Sequence, residues 1–80
     1  MIVFADTSAL YAVLDRDDEN HQTARATWEK LLKGGAILVT SSYVLVEICA
    51  LIQHRLGLNA LRTLQDDILP LLTVEWISHA

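Results

Sequence analysis

Cysteine occurs once in the 80 residues, at Cys49, and proline once, at Pro70. A single thiol forms no internal disulfide, which excludes a disulfide-stapled scaffold, and a lone Cys within an apolar run behaves as a small hydrophobe. Glycine is confined to Gly34, Gly35 and Gly57, so neither a P-loop nor a dinucleotide-binding glycine loop is present. Basic residues are few, six Lys and Arg against ten Asp and Glu, giving a net charge of −4. That balance is not the positive footprint of a protein that holds nucleic acid by charge alone, so nucleic-acid chemistry here needs a metal or a basic partner. Long hydrophobic runs are also missing. The longest, from Val44 to Ile52, is broken by Glu47 and falls well short of the roughly 18 to 20 residues that span a bilayer. The start, Met1-Ile2-Val3-Phe4-Ala5-Asp6, has no basic leader and does not read as a secretory signal, so a cytoplasmic location and no membrane partner are expected.

What the sequence does have is apolar side chains, at 52% of residues with a mean hydropathy of +0.33. This composition suits one globular domain over residues 1–80. At this length folding removes only about 60 to 65% of the unfolded chain's surface, so the core is thin. There are no repeats, linkers or low-complexity stretches. Apolar Ile2 to Ala5, ending at Asp6-Thr7-Ser8, predicts a strand over 2–6 and a helix over 8–14. Asn20 stands where an N-cap belongs, ahead of Ala24, Trp28, Leu31 and Leu32, and Gly34-Gly35 follow, so a helix is predicted over 21–33. Ala36-Ile37-Leu38-Val39 has the pattern of a strand buried on both faces. A helix over 42–56, capped by a hydroxyl residue and stopped by Gly57, comes next. Another runs from Asn59 to Leu69 before Pro70, and Leu72-Thr73-Val74-Glu75-Trp76 is a last strand. The order β-α-α-β-α-α-β predicts an α/β sandwich with a parallel sheet and helices on both faces.

Two acids stand out. Asp6 is at the carboxyl end of the first strand, where parallel α/β sheets bind ligands, and it is equally placed to cap the helix that follows. Glu47 is the only charge between Tyr43 and Gln53, on a helix that otherwise reads as buried nearly all round. It reads either as a site residue or as a snorkelling or ion-paired side chain at a helix edge. If both acids face one cavity, their mutual repulsion is relieved by a hard divalent cation such as Mg²⁺, which takes oxygen ligands and keeps several waters. The histidines His21, His54 and His79 lack zinc-ligand spacing, and His21 reads as a local hydrogen-bonding residue. Ser8, Ser41 and Ser42 lack a G-x-S-x-G context. The acids Asp17-Asp18-Glu19 and Asp66-Asp67 read as solvated, and Trp28, Trp76 and Tyr43 as core or subunit-surface residues.

Asp6-Thr7-Ser8-Ala9-Leu10 follows an apolar strand, Asn20-His21-x-x-Ala24 opens the next helix, and Val39-Thr40-Ser41 leads to Glu47 inside a helix. With Gly57 before Asn59-Ala60-Leu61-Arg62, this arrangement resembles the PIN-domain family, and within it the VapC-type toxins. The resemblance runs over essentially the whole chain. It implies a three-layer sandwich around a parallel sheet and a Mg²⁺- or Mn²⁺-dependent ribonuclease, whose acidic side chains hold the metal that activates water against a phosphodiester. Asp6 and Glu47 match two of those acids as catalytic and metal-binding residues, and Thr7 or Ser8 holds the carboxylates by hydrogen bonds. RNA as substrate, a cognate antitoxin and a homodimer are implied as partners. The family's further acids lie beyond position 80, so the chain reads as the N-terminal portion of such a domain, incomplete at its C-terminus. The alternative is a catalytically silent, truncated PIN-like module that acts through protein–protein contact at its exposed sheet edge.

Overall fold

The computed structural model describes residues 1–77. Strand β1 (Ile2–Phe4) leads to helix α1 (Thr7–Leu14) and helix α2 (His21–Lys33), then to strand β2 (Ile37–Ser41). Helix α3 (Ser42–Arg55) and helix α4 (Leu58–Thr63) follow, then a π-helical turn (Leu64–Ile68), a 3₁₀ turn (Leu69–Leu71) and strand β3 (Leu72–Glu75). The order is the predicted β-α-α-β-α-α-β, and both strand pairings are parallel.

Local chemistry sets the boundaries. The Asp6 carboxylate accepts from the Ala9 amide at the start of α1, and the Ser41 hydroxyl accepts from the Val44 amide at the start of α3. Each satisfies an amide that the first helical turn leaves without a partner. After α2, Gly35 takes a φ of +74°, a conformation that costs glycine little, and the chain turns back so that the Ala36 amide reaches the Leu31 carbonyl at 3.0 Å. Gly57, at φ +91°, separates α3 from α4 in the same way. The predicted single helix from Asn59 to Leu69 differs in its second half, where the Leu69 amide bonds the Leu64 carbonyl, five residues back. Pro70 has no N–H with which to continue an α-helical ladder, and the widened turn, with its buried Leu64 and Ile68, leads into the 3₁₀ turn.

The sheet order is β1-β2-β3. Two right-handed crossovers that step the same way across a sheet place both pairs of helices on one face. The side chains agree. Val3 lies opposite Leu38, and Leu38 opposite Leu72; these alternate with residues on the other face, where Ile2, Phe4 and Ile37 are 73%, 57% and 52% exposed. The Ala36–Val39 run was expected to be buried on both faces, but β2 buries only Leu38 and Thr40 on the helix side. The second helical layer is not built by residues 1–77.

The core lies between the sheet and the helices. Leu10 and Val13 of α1, Ile48 and Ile52 of α3, Leu64 and Ile68 of the π turn, and Ala5 form one buried cluster. Each of the large side chains contributes roughly 1.5 to 3 kcal/mol by leaving water. Helix α2 buries no residue fully and rests on this cluster through Ala24 and Trp28, whereas Tyr43 and Trp76 are exposed. Among the described residues Thr40 is the buried polar one, and its hydroxyl donates to the Ala5 carbonyl at 2.9 Å. Among the described residues no helix is long and apolar enough to cross a membrane.

Candidate active site

Helices α1 and α3 begin where β1 and β2 end, and those strands are neighbours, so the two N-termini stand side by side at the carboxyl edge of the sheet. Between them is a cleft of about 600 Å³ lined by Asp6, Thr7, Tyr11, Asp18, Glu47 and Arg55 among others. The topology therefore brings Asp6 and Glu47 to one cavity.

Asp6 combines the two roles weighed for it. Its Oδ1 accepts from the Ala9 amide at 2.9 Å and from the Ser8 hydroxyl at 3.1 Å, which fixes the carboxylate and leaves its other oxygen without a protein partner. Glu47 Oε1 accepts from the Thr7 hydroxyl, so an α1 side chain orients an α3 carboxylate and again one oxygen is left over. Helix α3 is not buried all round as expected. Val46, Tyr43 and Glu47 itself are exposed, so Glu47 is a solvent-facing acid at the cleft wall and not a charge sunk in the core. That placement spares it the desolvation that makes buried charges costly.

Asp18, expected to be a solvated acid, is half-buried and lines the same cleft, while its Oδ1 accepts from the Asn20 amide at 2.8 Å. No periodicity announces this, because the loop before α2 is placed by its own turn hydrogen bonds. Among the described residues no three His, Cys, Asp or Glu side chains approach closely enough to enclose a metal. The donor set that does converge is two oriented carboxylates with one unengaged oxygen each, which suits a hard cation that retains most of its water shell.

The remaining candidates fall away from the cleft. His21 Nδ1 donates to the Ala12 carbonyl at 2.7 Å, the local role expected of it. His54 is exposed, and His79 lies outside the described residues. Ser42 accepts from the Ile77 amide at 3.0 Å. Burial pushes the Cys49 thiol pKa above its ordinary value, the opposite of what a reactive thiolate requires. Asp66 and Asp67 are exposed on the π turn.

Two further cleft residues were not anticipated. Tyr11 of α1 has its hydroxyl pKa raised, chiefly by a hydrogen bond with the Asp15 carboxylate and then by desolvation, with Arg55 opposing. The Arg55 guanidinium sits 5.7 Å from the centre of the Tyr11 ring, a cation–π distance. Nothing in a single sequence pairs the end of α3 with the middle of α1.

Residues 3–80 match the PIN domain family. The chain belongs to the PIN-domain family. Among solved structures this PIN domain is similar to Mycobacterium tuberculosis VapC20, described as a sarcin-ricin loop cleaving toxin. The likeness has a TM-score of 0.78 at 25% identity and covers 98% of this chain and 58% of that one. The PIN domain described here therefore spans 58% of the length of the toxin it matches. No curated protein matches its sequence. The parallel α/β fold and the family agree with the resemblance drawn from Asp6-Thr7-Ser8, Asn20-His21 and Glu47.

Proposed function

We propose that the cleft between α1 and α3 is the site of a metal-dependent ribonuclease of the toxin–antitoxin type, with Asp6 and Glu47 holding Mg²⁺ or Mn²⁺. The observation that carries this reading is the convergence, in a PIN-family chain, of two carboxylates from separate crossovers on one open cleft, each held through one oxygen. When bound, the cation lowers the pKa of a water and offsets charge on the scissile phosphate. The chain's own residues set the geometry. The Ser8 hydroxyl and the Ala9 amide fix Asp6, and the Thr7 hydroxyl fixes Glu47, so neither carboxylate has to be ordered when the cation arrives. On this reading the partners are an RNA substrate, a cognate antitoxin protein and a second copy of the chain, and the protein works in the cytoplasm.

A second reading, a catalytically silent module that acts by protein–protein contact, is favoured by the apolar sheet face that residues 1–77 leave bare. One experiment separates the two. Mn²⁺ titration by calorimetry and Mn²⁺-dependent cleavage of a mixed RNA pool are measured on the chain and on Asp6→Asn. The ribonuclease reading expects a binding isotherm and cleavage that both vanish in Asp6→Asn, since the amide still caps α1 but brings no charge to the metal. An isotherm unchanged by the substitution overturns the proposed site, and absence of cleavage by either protein favours the silent module.

A further inference from the structure

The acidic pair is a poor host for RNA by itself. Asp6, Asp18 and Glu47 line the cleft in a chain of net charge −4, and the polyanion must lie against them. Of the six Lys and Arg side chains, Arg55 is the one that reaches this cleft among the described residues.

Its setting is specific. Glu47, Leu51 and Arg55 are spaced four residues apart on α3 and all line the cleft, so Arg55 stands about 12 Å along the helix from Glu47. That rise sets Arg55 about two turns along the cleft from Glu47, where a flanking part of a strand held at the acidic pair would run. Thr7 and Tyr11 keep the same four-residue step on α1, so the contacts come in register. Thr7 meets Glu47 at one end, and Tyr11 meets Arg55 at the other. The Tyr11 ring carries the guanidinium as a platform. No carboxylate of the described residues lies within ion-pairing distance of Arg55, so its planar fork of N–H donors is not already committed to one. A guanidinium held on an aromatic face with its edge open matches the paired oxygens of a phosphate.

We propose that Arg55, held over the Tyr11 ring, is a phosphate-binding subsite that grips a nucleotide flanking the scissile bond and sets the path of the RNA strand through the cleft. Arg55 touches the substrate, and Tyr11 is the positioning residue behind it. The proposal rests on the ribonuclease reading for the identity of the polyanion, but not on the metal.

The test measures binding and not turnover. In the Asp6→Asn background, which keeps the RNA whole, a short fluorophore-labelled single-stranded RNA of mixed sequence is titrated by anisotropy at several salt concentrations. Arg55→Gln is expected to weaken binding about tenfold, as loss of a charge-assisted contact does, and to lower the slope of log K against log salt by about 0.7, the value for one phosphate on a single strand. Arg55→Lys keeps the slope but regains only part of the affinity, because an ammonium lacks the fork. Arg62→Gln removes the same charge from exposed α4, away from the cleft, and is expected to change neither quantity. Arg55 is itself exposed, and circular dichroism confirms that each variant folds. Equal losses in Arg55→Gln and Arg62→Gln, an unchanged salt slope, or no RNA binding by the parent protein would each overturn the subsite. Mn²⁺ calorimetry on the unsubstituted chain judges the metal reading separately, so either idea can fail while the other stands.

Discussion

The two faces of the sheet are made of similar residues and live in different surroundings. On the helix side Val3, Leu38 and Leu72 stand in one row across the three strands, with Thr40 buried beside Val74. On the other side Ile2 and Ile37 pair directly and more than half of each is in water. Hydrophobicity alone therefore did not decide which residues are buried. The hand and direction of the crossovers did, by sending every helix to one side. The covered face carries the cooperative core, while the bare face contributes little to the stability of residues 1–77 even though its composition is that of a buried surface.

Substitutions on the two sides put this contrast at risk. Ile48 is fully buried where α3 meets the core, so Ile48→Ala should cost about 2 to 5 kcal/mol through lost transfer energy and a residual cavity. That is a large share of what a domain of this size has, and it reads as a lower urea midpoint. Thr40→Val keeps the shape of the side chain but removes the donor to the Ala5 carbonyl. The buried acceptor then loses its bond, for about 1 to 3 kcal/mol; an unchanged midpoint would mean that water reaches the Ala5 carbonyl and the covered face is less sealed than described. Ile37→Thr, on the bare side of the same strand, should change the unfolding free energy by less than about 0.5 kcal/mol. A loss comparable to that of Ile48→Ala would show instead that something covers the bare face in solution.

The one-sided sheet also marks where the sequence stopped being legible. Ala36-Ile37-Leu38-Val39 reads as a doubly buried strand because it is apolar at every position, and a local pattern does not record whether a second layer is present. Element boundaries were easier, since Gly34-Gly35, Ser41 and Gly57 each act within a turn or two of their own position. The π turn was not readable because Pro70 marks where an α-helix must end without saying how the turn before it is wound, and the burial of Leu64 and Ile68 depends on elements distant in sequence. At the cleft, Asp6 and Glu47 could be singled out because one ends a strand and the other interrupts an apolar run. Asp18, Tyr11 and Arg55 left no such trace. Asp18 is carried by an irregular loop, and the Tyr11–Arg55 contact joins elements distant in sequence. The Thr7 and Ser8 hydroxyls fall between, foreseeable as carboxylate partners but not as to which acid each serves.

The hydrogen bond from Thr7 to Glu47 joins residues 40 apart in sequence. Closing a loop of that length costs chain entropy that other contacts must offset, so the link stands only where β1 and β2 are paired and α1 meets α3. The bonds from Ser8 and Ala9 to Asp6 are local to the start of α1, whereas Glu47 is held only when α3 lies beside α1. The acidic pair thus depends on the long-range architecture, and whatever loosens the packing of α1 on α3 loosens the pair with it.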